Sequence, residues 1–312
     1  MYKPSTLLLI AVAGLAAQLV DGGLGMGFGA TSTTILVMLA GLGPAAASAV
    51  VHTAELGTTL ASGVAHWRFG NVDWKVVARI GVPGAIGAFL GATVLANLST
   101  QAAQPVMSLI LALIGLNLMI RFSRGLTQRK LETQPHSTQF LSGLGLFGGF
   151  VDATGGGGWG PVTTSTLLAA GRSEPRRIVG TVNTAEFLVT AAATAGFAIG
   201  MWHDLVANLA AVLALLAGGM VAAPIGAWLV SRLNPILLGG VVGTLIVFLN
   251  LPKVLAAVGV PDDGLWAARV VVVLLGAALS WRGVHRARAA KAETPAPVNE
   301  DPQRHTTRVH AA

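Results

Sequence analysis

Glu55 and Glu186 each stand within otherwise apolar sequence, where a carboxylate has few partners. A charged carboxylate in such surroundings is costly, so it must be protonated, paired or facing water. Two roles fit: proton coupling in transport, or hydrogen bonding between helices. His52, three residues before Glu55 on the same helical face, could share a proton with it, though a plain helix–helix hydrogen bond also suits it. Asn183 holds the matching place before Glu186.

A second pair of features is built from glycine. Asp21-Gly22-Gly23-Leu24-Gly25-Met26-Gly27-Phe28-Gly29 and Asp152-Ala153-Thr154-Gly155-Gly156-Gly157-Gly158-Trp159-Gly160 each hold five glycines in nine residues. Both interrupt an apolar segment midway. Backbone that leaves helical geometry at membrane depth is tolerated only where protein or a watery cavity receives its polar groups, so these elbows are expected to point inward. Hydroxyls follow each one: Thr31, Ser32, Thr33 and Thr34, then Thr163, Thr164, Ser165 and Thr166 behind Pro161, which suits a first helical position. A helix starting there aims amide hydrogens and its positive dipole end at whatever lies ahead, which favours an anion. The expected substrate-binding set is therefore Gly25, Gly27, Thr31, Ser32, Thr33, Gly156, Gly158, Thr163, Thr164 and Asn183, with Glu55, Glu186 and His52 for protons. Asp21 and Asp152 are expected to cap or brace the elbows. The same glycines also suit close helix packing.

The elements that hold these residues repeat. Asp21 and Asp152, Glu55 and Glu186, and Asp73 and Asp204 are all separated by 131 residues (152 − 21 = 186 − 55 = 204 − 73), and Pro44 and Pro175 keep the same offset. A period of this kind marks two related halves. Composition makes lipid their solvent: 53% of residues are hydrophobic, 11% charged, and the mean hydropathy is +0.69. Apolar runs at 44–66, 76–96, 102–120, 205–230, 235–251 and 266–281 approach or reach the roughly 20 residues a spanning helix needs. The run from Leu7 to Ala17 reads as a retained first helix, not a cleaved signal. The segments about 30–40 and 161–170 are too short to cross, and so are expected as broken or re-entrant helices meeting near the midplane. Trp67, Trp74, Trp202 and Trp281 sit beside charged or turn residues, as interfacial rings do, while Trp159 and Trp228 lie deeper in apolar sequence.

Short cytoplasmic loops collect Lys and Arg. The clusters Arg68 and Lys75; Arg121, Arg124, Arg129 and Lys130; Arg172, Arg176 and Arg177; Arg232; and Arg282, Arg286, Arg288 and Lys291 can all face the cytoplasm if the second half is inverted relative to the first. The expected fold is an all-α integral membrane protein of two inverted-topology repeats with glycine-rich broken helices, plus one extra C-terminal helix. Its parts are repeat 1 (1–122), a cytoplasmic linker (123–137), repeat 2 (138–251), the extra helix (252–284) and a tail (285–312) disordered by composition and cytoplasmic. That tail could also meet anionic lipid.

Other classes fit poorly. Cysteine is absent, which excludes thiol catalysis, disulfides and thiolate metal sites. No metal ligand set is expected, because His52 and Glu55 have no second histidine in the repeat. No Ser-His-Asp arrangement occurs in an elbow sequence, no strand and distal acid frame a nucleotide loop, and no enzyme activity or cofactor is expected. The +7 net charge lies at helix ends and in the tail, which argues against nucleic acid.

The stretch Ala65-His66-Trp67-Arg68-Phe69-Gly70-Asn71-Val72-Asp73-Trp74, the glycine-spaced helix Gly84–Gly91 and the run Gly155–Pro161 resemble the TauE/SafE sulfite exporter family, also called the toluene sulfonate uptake permease family, over about residues 7–250. The resemblance implies movement of sulfite, sulfonates or related sulfur compounds across the bacterial inner membrane, driven by the proton gradient. The chain departs from that pattern at Ala30, which lacks a nearby proline, and at Glu55 and Glu186, where the family is usually uncharged. The carboxylates leave an alternative open, a cation or metal transporter. Oligomeric state is not legible.

Overall fold

The computed structural model describes residues 2–24, 26–38, 40–125, 135–170, 172–230 and 234–293. Gly25, Arg129, Lys130, Arg232, the tail beyond 293 and the side chain of Trp228 lie outside them. Among the described residues every regular element is a helix. The first half holds α1 (Pro4–Leu24), the short α2 (Phe28–Met38), α3 (Pro44–Arg68), α4 (Trp74–Asn97) and α5 (Thr100–Ser123). The second half repeats this order with α6 (Thr138–Gly155), a π-helical turn (Gly160–Thr164) leading into α7 (Ser165–Ala170), α8 (Pro175–Ala207), α9 (Leu209–Val230) and α10 (Pro235–Ala257). A last helix, α11 (Asp262–Glu293), follows.

Local chemistry sets most boundaries. Asp73 caps α4 by accepting from the amides of Lys75 and Val76 at 3.1 and 3.2 Å, and Ser137 caps α6 through the Phe140 amide at 3.2 Å. Proline, whose missing N–H is no loss in a first turn, opens α3, α8 and α10. α6 ends on Gly156 in left-handed geometry (φ 70°), a conformation glycine adopts without Cβ strain.

Six helices, α1, α4, α5, α8, α10 and α11, are long and apolar enough to cross a membrane. α8 is not among the expected apolar runs, although Glu186 is expected within apolar sequence; it extends over 33 residues with a break at Met201 (φ −151°, ψ 47°), and its mean hydropathy of 1.4 is close to the 1.5 of α4. α11 also exceeds its expected span. It continues to Glu293, because the Arg- and Ala-rich sequence after Trp281 has good helix propensity.

The helices pair across the halves. α1 packs on α9 as α6 packs on α4, α3 on α9 as α8 on α4, while α3 meets α8 and α5 meets α10. Each pairing is the exchange of another, or of itself, when the two halves are matched helix by helix, the offset of 131 holding as far as Asp204 and growing to 135 at the starts of α9 and α10. Glycine makes the tightest seams. A Cβ at Gly145 or Gly149 of α6 would strike the backbone carbonyls of Ile80 or Gly84 in α4, and one at Gly91 would lie 2.7 Å from the Phe150 carbonyl. On the matching seam, Gly218 of α9 presses on the Ala11 carbonyl of α1. Small residues allow helix backbones to approach this closely. Gly149→Val is expected to force α4 and α6 apart and destabilise the protein by about 3 kcal/mol or more. A thermal melt in detergent that matched the wild type would disprove that seam.

Trp67, Trp74, Trp202 and Trp281 are all more than half exposed, whereas Trp159 is fully buried and donates its indole N–H to the Val182 carbonyl at 3.0 Å.

Candidate functional site

The two elbows touch at the centre of the protein. A Cβ at Gly29 would lie 2.6 Å from Gly157 Cα, and one at Gly160 would lie 2.7 Å from Met26 Cβ. The offset of 131 residues carries Gly29 to Gly160 and Met26 to Gly157, so each contact is the exchange of the other. The Thr33 hydroxyl also donates to the Gly156 carbonyl across this junction.

An aspartate organises each elbow. Asp152 Oδ1 accepts from the amides of Gly158 at 2.6 Å and Trp159 at 2.9 Å, while its own carbonyl accepts from Gly157 at 2.9 Å. Asp21 meets the amide of Phe28, the counterpart of Trp159. Both aspartates thus brace the elbows, as their positions imply. They also correct the simplest view of the helix starts. Amides expected to face a substrate anion, including that of Gly158, are taken by the chain's own carboxylates.

α3 and α8 bring the glutamates together. Asp21, Glu55 and Glu186 line one small recess with Gln18, Asn183 and three α3 hydroxyls, Thr58, Thr59 and Ser62. Phe28 closes the elbow side. Ser62 receives a hydrogen bond from Asn183 at 3.4 Å. Thr59 donates to the carbonyl of Glu55 at 2.6 Å, as its counterpart Thr190 donates to that of Glu186. His52 Nδ1 is 3.1 Å from Glu55 Oε2, and its Nε2 is 3.9 Å from Asp152 Oδ2, so one imidazole stands between the recess and the second elbow. Glu55 also approaches the junction itself, with Oε1 3.1 Å from where a Gly29 Cβ would stand. Among the described residues no three His or acidic side chains converge as metal ligands.

The remaining expected residues divide. Gly27 bends the first elbow at φ 110°, and Thr163 donates back to the Trp159 carbonyl. Thr31, Ser32 and Thr164 are buried with hydroxyls that have no protein partner among the described residues, which in a packed interior marks places for water or a ligand. Gly25 is outside the described residues.

Two contributors are not recognisable as such from sequence. Arg121 of α5 donates to the Ser165 hydroxyl and approaches Met26 Sδ at 3.8 Å, and Asn250 of α10 donates to the Thr34 hydroxyl at 3.2 Å. Arg121 is hidden within a basic cluster that orients the chain. Asn250, a lone amide in the run 235–251, is the visible signal for the other.

Residues 10–252 match the family described as sulfite exporter TauE/SafE. The chain belongs to that family. It is also 49% identical over 249 residues to the probable membrane transporter protein YtnM of Bacillus subtilis (strain 168), an alignment covering 78% of this chain and 81% of the relative. No solved structure matches. As a TauE/SafE protein the chain is a multi-pass membrane transporter, and the matched stretch holds both elbows, both glutamates, Arg121 and Asn250, while α11 falls outside it.

Proposed function

We propose that this TauE/SafE transporter moves a small sulfur-containing anion, such as sulfite or a sulfonate, across the bacterial inner membrane in exchange or symport with protons. The observation that carries the proton part is the recess where Asp21, Glu55 and Glu186 face one another without a basic side chain in its lining. Like charges so enclosed repel, and uptake of a proton relieves the repulsion. His52 extends this cluster to Asp152, and so to the elbow that Asp152 braces. Protonation and elbow geometry are thereby linked through named contacts.

The family supports the sulfur chemistry, and the junction of two broken helices supports substrate binding between the halves, with unpartnered hydroxyls at Thr31, Ser32 and Thr164 as donors to an anion. In this reading the halves are inverted in the membrane, the elbows are re-entrant near the midplane, and α11 returns the chain to the cytoplasm. A cation transporter is the second reading, drawing on the carboxylates of the same recess, although among the described residues no three of them stand close enough to hold one metal ion together.

Purified protein in liposomes should take up sulfite and small sulfonates saturably, faster under an imposed proton gradient than without one. If neither moves under any gradient while a cation does, the second reading replaces the first.

A further inference from the structure

Arg121 lies in the last turn of α5, where a basic side chain ordinarily extends toward the headgroups and complements the helix dipole. Arg124, one turn on, is exposed and suited to that role. Arg121 instead turns inward. It is half-buried, donates to the Ser165 hydroxyl, lies 3.8 Å from Met26 Sδ and reaches over the Phe122 ring at 5.6 Å. No carboxylate pairs with it among the described residues, and its other donors meet no protein oxygen there. A guanidinium keeps its charge under all ordinary conditions, so a half-buried one without a counter-ion is costly to hold unless an anion visits it.

The repeat shows what is particular about this position. Ser165 corresponds to Thr34 at the offset of 131, and Thr34 receives its hydrogen bond from Asn250, on the helix that corresponds to α5. Each half thus sends one polar side chain from its last helix to the hydroxyl that follows the other half's elbow. In one half that side chain is a neutral amide, in the other a cation. The cross-brace alone needs no charge, as Asn250 demonstrates.

We propose that Arg121 is the residue that recognises the charge of the transported oxyanion, in a seat between Met26 of the first elbow and Ser165 beyond the second. The inference rests on the anion-transport reading above. The planar fork of the guanidinium offers paired N–H donors that match two oxygens of a sulfite or sulfonate, and Ser165 adds a hydroxyl. Asn250, whose amide donates to the Thr34 hydroxyl and to the Ile246 carbonyl, is the neutral counterpart and has no donor left for an anion.

The test uses intact protein in liposomes. Wild-type sulfite and methanesulfonate flux is compared with Arg121→Gln and Arg121→Lys, and phenylglyoxal labelling of Arg121 in the wild type is followed by peptide mass spectrometry with and without sulfite. Arg121→Gln should raise KM by roughly tenfold or more with the melting temperature kept, and Arg121→Lys should recover part of it. Sulfite should slow labelling of Arg121 several-fold. A wild type that moves neither anion overturns the transport reading and this inference with it. An active wild type whose KM is unchanged in Arg121→Gln, or which loses only maximal rate, overturns the inference alone. If Arg121→Gln does not fold, labelling that sulfite leaves unchanged overturns it.

Discussion

Glu55→Gln is expected to abolish the component of anion flux that follows an imposed proton gradient, lowering gradient-driven accumulation by roughly tenfold or more, and Glu186→Gln should do the same. The amide preserves the shape of the side chain and its contact with His52 at 3.1 Å, but cannot bind and release a proton in the working range. Thr59 and Thr190 are committed to the backbone carbonyls of the two glutamates, so in either variant the titratable groups left beside the site are Asp21, His52 and the remaining glutamate, and the expectation is that coupling needs both glutamates. The check is paired measurement of anion uptake and of internal pH with a trapped dye. Downhill exchange of anion should persist in both variants while the pH signal disappears. Full gradient stimulation in the double variant would remove the glutamates from the coupling mechanism.

Gly157→Ala is expected to be the most damaging single methyl in the protein. Gly157 adopts φ 136°, which side-chain-bearing residues rarely enter, and its Cβ would collide with the backbone of Gly29 and Ala30 in the opposite elbow. Neither obstacle is a flexible side chain, so the two elbows must separate. The cost is about 3 kcal/mol or more, and transport should be lost with it. Gly41→Ala provides the comparison. Gly41 also has positive φ (72°), but open space surrounds its Cβ position, so only the conformational cost of roughly 1 kcal/mol applies and flux should survive. Equal melting temperatures for the two variants would mean that the elbows do not bear on each other as described.

Much of this architecture is legible in the amino-acid sequence. Hydropathy and spacing locate α3, α4, α5 and α9 to within about four residues at each end, because long apolar runs bounded by proline, Asp or Ser have little alternative in lipid, while α1 and α10 run seven and six residues past their expected ends at Ala17 and Leu251. The offset of 131 pairs Asp21 with Asp152 and Glu55 with Glu186, and the cluster of glycines marks where each helix breaks. α8 is legible only as apolar sequence around Glu186, because Asn183, Glu186 and the threonines break its apolar residues into short pieces while its mean hydropathy, 1.4, stays close to the 1.5 of α4.

The repeated order of helices, the two elbows and the presence of carboxylates that lipid alone would not accept are thus properties of the chain's own residues. Which of these meet is settled by packing in three dimensions. That Gly29 rests on Gly157, that Asp152 consumes the amides of its own elbow, and that Arg121 faces Ser165 while Arg124 faces out depend on how each helix is rotated about its axis. The rotation is fixed by glycine seams and by pairings such as α5 with α10, between residues more than a hundred positions apart. A periodic pattern marks which face is apolar; only packing between the halves selects the neighbour that face receives.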